Sequence, residues 1–526
     1  MAQTRVGCET CRQRRIKCDG AKPTCKRCTL SRRPCLWKKK VLDIHFENQY
    51  ASGQVRRPRG PRPALPGAGE PVSSRHPEGD TIPAPLQLSL QVQAVTFYLN
   101  HYMQPLPSDA LDVTKTLDDY ICRIAAESPS ALLDAAIRCM ALETYSRVRG
   151  GGDVRASAEA AHYHQALLSL ARRSVALLGP DNLDECLLGV FFLSRFDAST
   201  HGQADLWRKL RASPAHHYGG AMAILQHWRD HLRDDGRACH GSDGCSPIVK
   251  ESRRGLLRYL LMHGLEVPGW MKDGEGFGEA GLELVHDRVT VRIADLRHRV
   301  LRLFGPTKTP SQPGESFSQA MLGMKKEVQE LDRMLQDWAR QFQLSWAYQQ
   351  HTLKPSIEPK RTRHLPSSKV YTYSKLSYAV LWAKYAAVRL LVNDAHLKIL
   401  SLCDGGLGVA DPVMTDRCRL VVEQMTDIIV CSNAFIAGEL RVVSAPMDGN
   451  KLVYDEGSDA CQTRFKHATW PLQVACSLDS VGMSQRLWCR EQLHRAGRLA
   501  GIKLFEEYQP DQSFRLDENH LAPGDG

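Results

Sequence analysis

The sequence C-E-T-C-R-Q-R-R-I-K-C at Cys8–Cys18 is followed, after six residues, by C-K-R-C-T-L-S-R-R-P-C at Cys25–Cys35. Both halves have the spacing C-x2-C-x6-C, and the second repeats the first at an offset of 17 residues. Thiolates at C-x2-C spacing can bind one tetrahedral ion, and Zn2+ favours closed sulfur shells where its role is structural. The repeat therefore predicts a metal centre with six ligands: Cys8, Cys11, Cys18, Cys25, Cys28 and Cys35.

The number of sulfurs indicates how many ions this centre holds. Six sulfurs are two too few for two separate four-sulfur sites, but two Zn2+ are satisfied if two cysteines bridge them. The spacing leaves open which two cysteines bridge. A disulfide framework is the alternative, but disulfides belong mainly to secreted chains, and the residues before Cys8 include no apolar signal segment. Two Zn2+ are therefore the predicted cofactors.

The basic residues of the chain are concentrated around this centre. Residues 1–63 hold 17 Lys and Arg against four acids, a net charge of +13, whereas the rest of the chain has a net charge of −2. Such a patch is typical of a polyanion binder. Short helices are predicted after the second cysteine of each half, and the four bases of Arg12–Lys17 can bind phosphates and reach a major-groove edge. The alternative is a solvated basic face that serves as a nuclear import signal.

The cysteine motif as a whole resembles the fungal zinc-cluster (Zn2Cys6, binuclear) family of transcription factors. The resemblance includes C-R-Q-R-R-I-K-C-D at Cys11–Asp19 and the loop proline Pro23. The family fold that it implies is a small binuclear cluster of two short helices and loops. It also implies a division of the ligands, in which Cys8 and Cys25 bridge both ions, Cys11 and Cys18 complete one site, and Cys28 and Cys35 complete the other.

The same resemblance implies double-stranded DNA as the partner and the nucleus as the location. Target triplets in this family are typically CGG-like, and guanine edges suit a Lys or Arg donor because O6 and N7 are both acceptors. By resemblance, Lys17 reads the bases with Arg15 beside it, and Arg12, Arg14 and Lys22 bind phosphates. The predicted function is a sequence-specific transcription factor that regulates RNA polymerase II genes together with the transcription machinery.

Composition divides the chain into four segments. Residues 1–50 are the predicted DNA-binding domain, and residues 51–85, with eight Pro and five Gly, are predicted to be a disordered basic linker. Residues 86–505 show helical periodicity and predict a large all-α domain, and residues 506–526 are predicted to be an acidic tail. Within residues 86–505, Ser374–Leu402 is apolar nearly all round and predicts a buried central helix.

Several strings of this second half resemble the fungal-specific transcription factor domain, which implies a regulatory domain rather than a catalyst. They are Phe97-Tyr98-Leu99, Leu187–Phe196, Trp382–Leu391 and Trp470-Pro471-Leu472.

Two segments are candidates for dimerisation with a second copy of the chain, and a third is a candidate for additional DNA binding. The heptad pattern of residues 37–44 covers less than two heptads, too few for a stable isolated coiled coil, so this segment does not support dimerisation. A homodimer formed by other parts of the chain stays an open alternative. The apolar residues of 321–342 keep alternating 3–4 spacing, which fits a dimer seam or, as Trp338 and Met324 favour, an intramolecular core. Arg57–Pro63 loosely resembles a minor-groove AT-hook, although Pro61 interrupts its core.

Few motifs suggest catalysis or a second metal. Gly276–Gly281 formally matches the dinucleotide fingerprint, but Glu275 and Glu279 would repel a pyrophosphate, and the stretch is predicted to be a loop. Cys239–Cys245 could hold a metal with His240 but has no second ligand pair, and the histidine pairs at 162/164 and 216/217 lack companion acids at ligand spacing. There is no P-loop, HExxH or GxSxG motif, and no apolar run of bilayer-spanning length. We therefore predict a protein that is not an enzyme and has no membrane partner.

Two functions of different classes remain. One is the DNA-binding regulator, and the other is a helical protein-interaction scaffold whose cluster only holds zinc or binds nucleic acid without specificity. In the last residues, Phe505 and Tyr508 are interleaved with acids, as in acidic activation segments. A frayed acidic tail is the alternative.

Overall fold

The computed structural model describes residues 10–11, 14, 16, 18–19, 24–31, 88–107, 109–127, 130–149, 151–202, 216–232, 245–303, 315–353, 368–406, 411–445, 449–454 and 464–509. The chain divides into two compact units, residues 1–83 and 84–526. The predictions for residues 37–44, for the linker at 51–85 with its Arg/Pro stretch, and for the tail beyond Gln509 lie outside the described residues.

The first unit contains helix α1, Lys26–Leu30. The second contains α2 Leu90–His101, α3 Asp118–Glu127, α4 Ala131–Val148, α5 Val154–Ala176, α6 Leu183–Thr200, α7 His216–His227, α8 Pro247–His263, α9 Gly281–Leu303, α10 Glu315–Arg340, α11 Leu376–Gly406, α12 Pro412–Ile436, α13 Thr469–Ser477, α14 Met483–Ala500 and α15 Lys503–Glu506. The prediction of a large helical domain behind the cysteine motif is confirmed.

Two short strand pairs, which the sequence pattern did not predict, join the helices of the second unit. Strand β1 (Gln349–Thr352) pairs antiparallel with β2 (Lys369–Thr372), and β3 (Leu440–Ala445) pairs antiparallel with β4 (Gly449–Tyr454). Each sheet has two strands, so the strands connect helices rather than form a layer of their own.

Several helix ends carry the residues that helix termini need. The Ser130 hydroxyl accepts a hydrogen bond from Leu133 N at 3.1 Å, and the Asp411 carboxylate accepts one from Met414 N at 3.1 Å before a proline that opens α12. Gly264 ends α8 with a φ of +60°, a left-handed conformation that favours glycine. Local sequence therefore sets where these helices begin and end.

Helix α11 is the centre of the second unit. It packs against α9, α10, α12 and α13, and Val380, Leu390 and Leu391 are fully buried. The predicted buried central helix is confirmed. Because a helix that is apolar nearly all round needs neighbours on every side, its burial arranges the other helices around it.

Helix α10 carries most of the segment with 3–4 spacing. Its apolar residues at 321, 324, 328, 331, 335 and 338 are at most 5% exposed, and α10 packs against α9 and α11. Trp338 Nε1 donates a hydrogen bond to Leu282 O at 2.9 Å. The intramolecular interpretation is therefore confirmed, and these residues do not form a seam for a second copy.

The packed structure includes the first three residues of the predicted acidic tail, 506–508. Tyr508 is 3% exposed, its hydroxyl lies 2.8 Å from Ser477 Oγ, and its carbonyl oxygen lies 2.9 Å from His494 Nε2. Glu506 forms an ion pair with Arg147 at 2.9 Å. The first aromatic and acidic side chains of the predicted activation segment are thus part of the folded unit.

Among the helices that the structure describes, none is both long and apolar enough to cross a membrane.

Candidate metal centre and DNA interface

Three cysteines of the motif bring their sulfurs together. Cys11 Sγ lies 3.6 Å from Cys25 Sγ and 3.9 Å from Cys28 Sγ, and the three residues are at most 1% exposed. Sulfurs bound to one tetrahedral Zn2+ at about 2.3 Å lie roughly 3.8 Å apart. These spacings fit a zinc–thiolate site.

Cys25 belongs to two groups of potential ligands. Its sulfur lies within 4.8 Å of those of Cys11 and Cys28, and also within 4.8 Å of the Cys18 sulfur and an Asp19 oxygen. A bridging ligand has to lie beside both ions, and Cys25 is the cysteine common to both groups. This arrangement supports the bridging role that the family resemblance assigns to Cys25.

The structure describes four of the six predicted ligands. Cys8, the second predicted bridge, and Cys35 lie outside the described residues. Cys11 and Cys28, which the resemblance assigns to different ions, are close enough to share one. Both groups of potential ligands contain Cys25, which joins the four described cysteines into one cluster.

Helix α1 begins earlier than the sequence pattern predicts. It starts at Lys26, before Cys28 rather than after it, because Cys25 is its N-cap residue and its sulfur accepts a hydrogen bond from Cys28 N at 3.4 Å. The Asp19 carboxylate accepts a second bond from Lys26 N at 3.3 Å. Anionic groups stabilise a helix N-terminus, so the sulfur of a predicted metal ligand and a loop carboxylate set the start of this helix.

The first half of the motif also has helical hydrogen bonds where it is described. Arg14 N donates to Thr10 O at 3.3 Å, and Ile16 N donates to Cys11 O at 3.0 Å. The predicted turn of helix after Cys11 is consistent with these contacts.

Arg14 links the two halves of the motif. Its side chain is exposed, and Nη1 donates to Ser31 Oγ at 3.3 Å, while Ser31 Oγ donates to Arg27 O at 2.8 Å. The bond uses one of the five donors of the guanidinium, so Arg14 keeps donors for a phosphate. The remaining predicted DNA contacts lie outside the described residues: Arg12, Arg15, Lys17 and Lys22.

Two further exposed cations lie beside the centre. Lys26 and Arg27, between the two cysteines of the second C-x2-C pair, both belong to α1 and are solvent exposed. They were not among the predicted DNA contacts, although the C-K-R-C string contained the signal. Their charges add to the field that attracts phosphates.

The candidate sites of the second unit have other roles where the structure describes them. Gly276 lies within the 3-10 turn Glu275–Phe277 and not after a strand, and Glu279 pairs with Arg254. The prediction of a loop is confirmed up to Gly281, the first residue of α9. His217 Nε2 lies 2.9 Å from Asp197 Oδ2. This acid comes from the neighbouring helix α6 and not from ligand spacing along the chain, so the sequence pattern did not signal it. Cys239 and His240 lie outside the described residues.

Comparisons with known proteins concern the first unit. Residues 6–42 match the family model of the fungal Zn(2)-Cys(6) binuclear cluster domain. The transcription activator AMTR1 of Alternaria alternata is 38% identical over 52 residues, which cover 10% of this chain and 7% of that protein. The transcription factor lfc1 of Flammulina velutipes is 54% identical over 35 residues, which cover 7% of this chain and 12% of that protein.

A third relative, the White-opaque regulator 2 of Candida albicans, is 62% identical over 34 residues, which cover 6% of this chain and 8% of that protein. The chain thus spans about a tenth of the length of the curated relatives it matches. No solved structure matches the chain. The predicted resemblance of the cysteine motif and its two Zn2+ are confirmed by the family match, whereas the resemblance of the helical half stays a prediction.

Proposed function

We propose that this protein is a sequence-specific DNA-binding regulator of transcription that acts in the nucleus on RNA polymerase II genes. The observation that carries the proposal is the position of Cys25, common to two groups of metal ligands and beside exposed basic residues. Two structural Zn2+ would supply the cross-links that a segment too short to bury a core unaided needs in order to fold.

The residues around the centre supply the DNA contacts in this proposal. Lys17 reads a CGG-like triplet with Arg15 beside it, because both side chains donate to guanine O6 and N7. Arg12, Arg14 and Lys22 bind phosphates and set the register. Phosphate contacts provide affinity for any duplex, and base contacts provide the preference for one sequence.

The helical unit contributes regulation rather than DNA affinity or catalysis. Residues 64–526 have a net charge of −2, so they add little attraction for phosphates. The unit is proposed to contact the transcription machinery and to pair two copies, which would raise the local concentration of the second DNA-binding module.

The test is a binding titration of the full chain with a CGG-containing duplex and a scrambled duplex of the same length, at several salt concentrations. We expect the preference for the CGG duplex to persist as salt rises, because base contacts are less salt dependent than phosphate contacts. Equal affinity for both duplexes at every salt concentration would contradict the proposal.

That outcome would favour the second candidate, a helical interaction scaffold with a non-specific zinc module. The large apolar core of the second unit is the observation that supports this second candidate. A reporter assay separates the two, since residues 86–526 fused to an unrelated DNA-binding module should alter transcription only if they form a regulatory domain.

A further inference from the structure

Two exposed histidines lie four residues apart at the C-terminal end of α7. His227 is the last residue of α7, and the chain continues directly into a single π-helical turn, Trp228–Leu232, which contains His231. Both histidines are solvent exposed. Residues four apart on a helix are neighbours on one face, so the two imidazoles lie side by side at the surface of the helical unit.

The distance between the two rings fits a shared metal ion. Their centroids are 4.8 Å apart. A metal bound at about 2.05 Å from an imidazole nitrogen lies roughly 3.2 Å from the centroid of that ring. Two imidazoles on one ion therefore have centroids roughly 4.5–5.2 Å apart, for angles at the metal between a right angle and the tetrahedral angle. The observed spacing lies within this range.

The tilt between the rings also allows both to bind one ion. A metal lies in the plane of each imidazole that binds it, so two rings stacked in parallel planes cannot share an ion. The planes of His227 and His231 meet at 52°. Because planes at this angle intersect, a single ion can lie in both of them.

The backbone between the two histidines is held by buried neighbours. Trp228 and Leu232, at the two ends of the π-helical turn, are 1% and 9% exposed, and the ring centroid of Trp228 lies 5.4 Å from that of Phe277. A turn of π-helix is rare and is frequent at functional sites. Anchoring of this turn places the two imidazoles before an ion arrives, which lowers the entropy cost of binding.

The charges between the two histidines do not oppose a cation. Arg229 and Asp230 carry opposite charges, and their side chains lie 3.8 Å apart. The carboxylate therefore offsets the guanidinium beside the site, so that a divalent ion meets little net repulsion from these two residues.

The histidine pairs noticed in the sequence do not have this arrangement. His162 and His164 are two residues apart on α5, so they do not face each other, and His164 stacks on Phe196 with ring centroids 4.3 Å apart. His217 is engaged by Asp197. The pair at the end of α7 differs in its spacing of four residues and in the exposure of both rings.

We propose that His227 and His231 together bind one divalent transition-metal ion of the kind that prefers imidazole, such as zinc or nickel. Two histidines at this spacing on one helix face are also the paired ligands of the HExxH zinc motif. Of the residues that the structure describes, the groups of three or more potential metal ligands all lie in the first unit. The α7 site therefore supplies two protein ligands, and water completes the coordination of the ion.

The test uses nickel as the probe, since its content can be measured separately from the zinc of the cysteine cluster. The full chain with its zinc is dialysed against buffered concentrations of free Ni2+, and both metals are measured by elemental analysis. We expect one nickel ion to bind per chain with no loss of zinc. X-ray absorption at the nickel edge should show two imidazoles at about 2.1 Å and no sulfur ligand.

Variants assign the nickel to this pair. His227→Gln and His231→Gln should each reduce nickel affinity at least about tenfold, because the second imidazole of a preformed pair binds at high effective concentration. Nickel should raise the Tm of the unchanged chain more than that of either variant. Without nickel, both variants should keep the Tm of the unchanged chain, since the two side chains are exposed. His162→Gln, at another exposed histidine, is the matched control and should change none of these quantities.

Three results would overturn the proposal. The first is that both α7 variants bind nickel as tightly as the unchanged chain does. The second is that His162→Gln loses as much affinity as they do, which would mean that nickel binds to surface histidines in general. The third is a nickel spectrum with sulfur ligands and a loss of zinc, which would place the nickel in the cysteine cluster. None of these results depends on DNA binding.

Discussion

The two units differ in what occupies their interiors. In the described part of the first unit, the buried side chains are those of Cys11, Cys25 and Cys28. The second unit buries a large continuous set of aliphatic and aromatic residues around α11. The described interior of the first unit is thus a cluster of potential metal ligands, whereas that of the second is an apolar core.

This difference separates the conditions on which each unit depends. A segment of some 40 residues cannot bury enough apolar surface to fold unaided, so the first unit should depend on metal and on deprotonated thiolates. The stability of the second unit should depend on the packing of its apolar core and on its buried ion pairs. Each unit should therefore unfold under conditions in which the other unit stays folded.

The largest expected effect is loss of the metal centre in Cys25→Ala. Because Cys25 is shared by both groups of ligands, we expect zinc content to fall from two ions per chain to none, with loss of DNA binding. Structural zinc in small modules contributes roughly 10–16 kcal/mol. Metal analysis of the purified chain measures the loss, and circular dichroism should show that the helical unit is retained.

Cys489→Ala is the matched control in the second unit, where the thiol is fully buried in the apolar core. It should keep both zinc ions and lower the unfolding free energy of the helical unit by about 1–2 kcal/mol. Retention of one zinc in Cys25→Ala would contradict a bridging role for Cys25.

The next effect is the response of the helical unit to acid. His396 is 3% exposed, its Nδ1 lies 3.2 Å from Cys418 Sγ, and burial lowers its pKa to about 4. The unfolded chain, with a histidine pKa near 6.5, binds more protons between these values. The contribution of His396 to stability should therefore be complete above about pH 6.5 and fall toward pH 4 by about 1.4 kcal/mol per pH unit or less.

Chemical unfolding at several pH values measures this slope by the helical signal. His396→Gln should reduce the slope, because glutamine does not titrate in this range. An unchanged slope in this variant would assign the acid sensitivity to other groups. Acid should also release zinc from the first unit, but through protonation of thiolates, so the two transitions need not coincide.

Sequence predicts well the features that repeat or that are local. The cysteine spacing predicted the metal centre because the ligands lie within 28 residues of chain, from Cys8 to Cys35. The apolar periodicity of α10 and α11 predicted their burial because a helix that presents apolar residues needs a covering partner.

Sequence predicts poorly the features that form between distant elements. The Asp197–His217 contact combines side chains from two different helices, and no spacing along the chain signals it. The start of α1 at Lys26 depends on the sulfur of Cys25, a predicted metal ligand that is also the N-cap. The strands β1–β4 are too short for a clear period, so only their pairing identifies them.

A smaller effect is expected at the proposed base reader. Lys17→Ala should keep both zinc ions and lose affinity for the CGG duplex by about 1–3 kcal/mol, with less loss for the scrambled duplex, because a base contact has been removed. Titrations with both duplexes at one salt concentration measure the difference. Equal losses for the two would make Lys17 a phosphate contact.

The smallest expected effect concerns Arg14. It tests whether the charge of this side chain contributes to DNA affinity independently of its hydrogen bond to Ser31. Arg14→Ala removes an exposed cation and its bond to Ser31, whereas Ser31→Ala removes the same bond and keeps the charge. If Arg14 binds a phosphate, its loss should weaken all duplexes alike and reduce the slope of log affinity against log salt by about one. Ser31→Ala should leave that slope unchanged, because no counterion release is lost.

A common change of slope in both variants would mean that the hydrogen bond between Arg14 and Ser31 positions other cations. An unchanged slope in both would make Arg14 a structural residue of the cluster, and phosphate binding would then depend on the other bases of the unit.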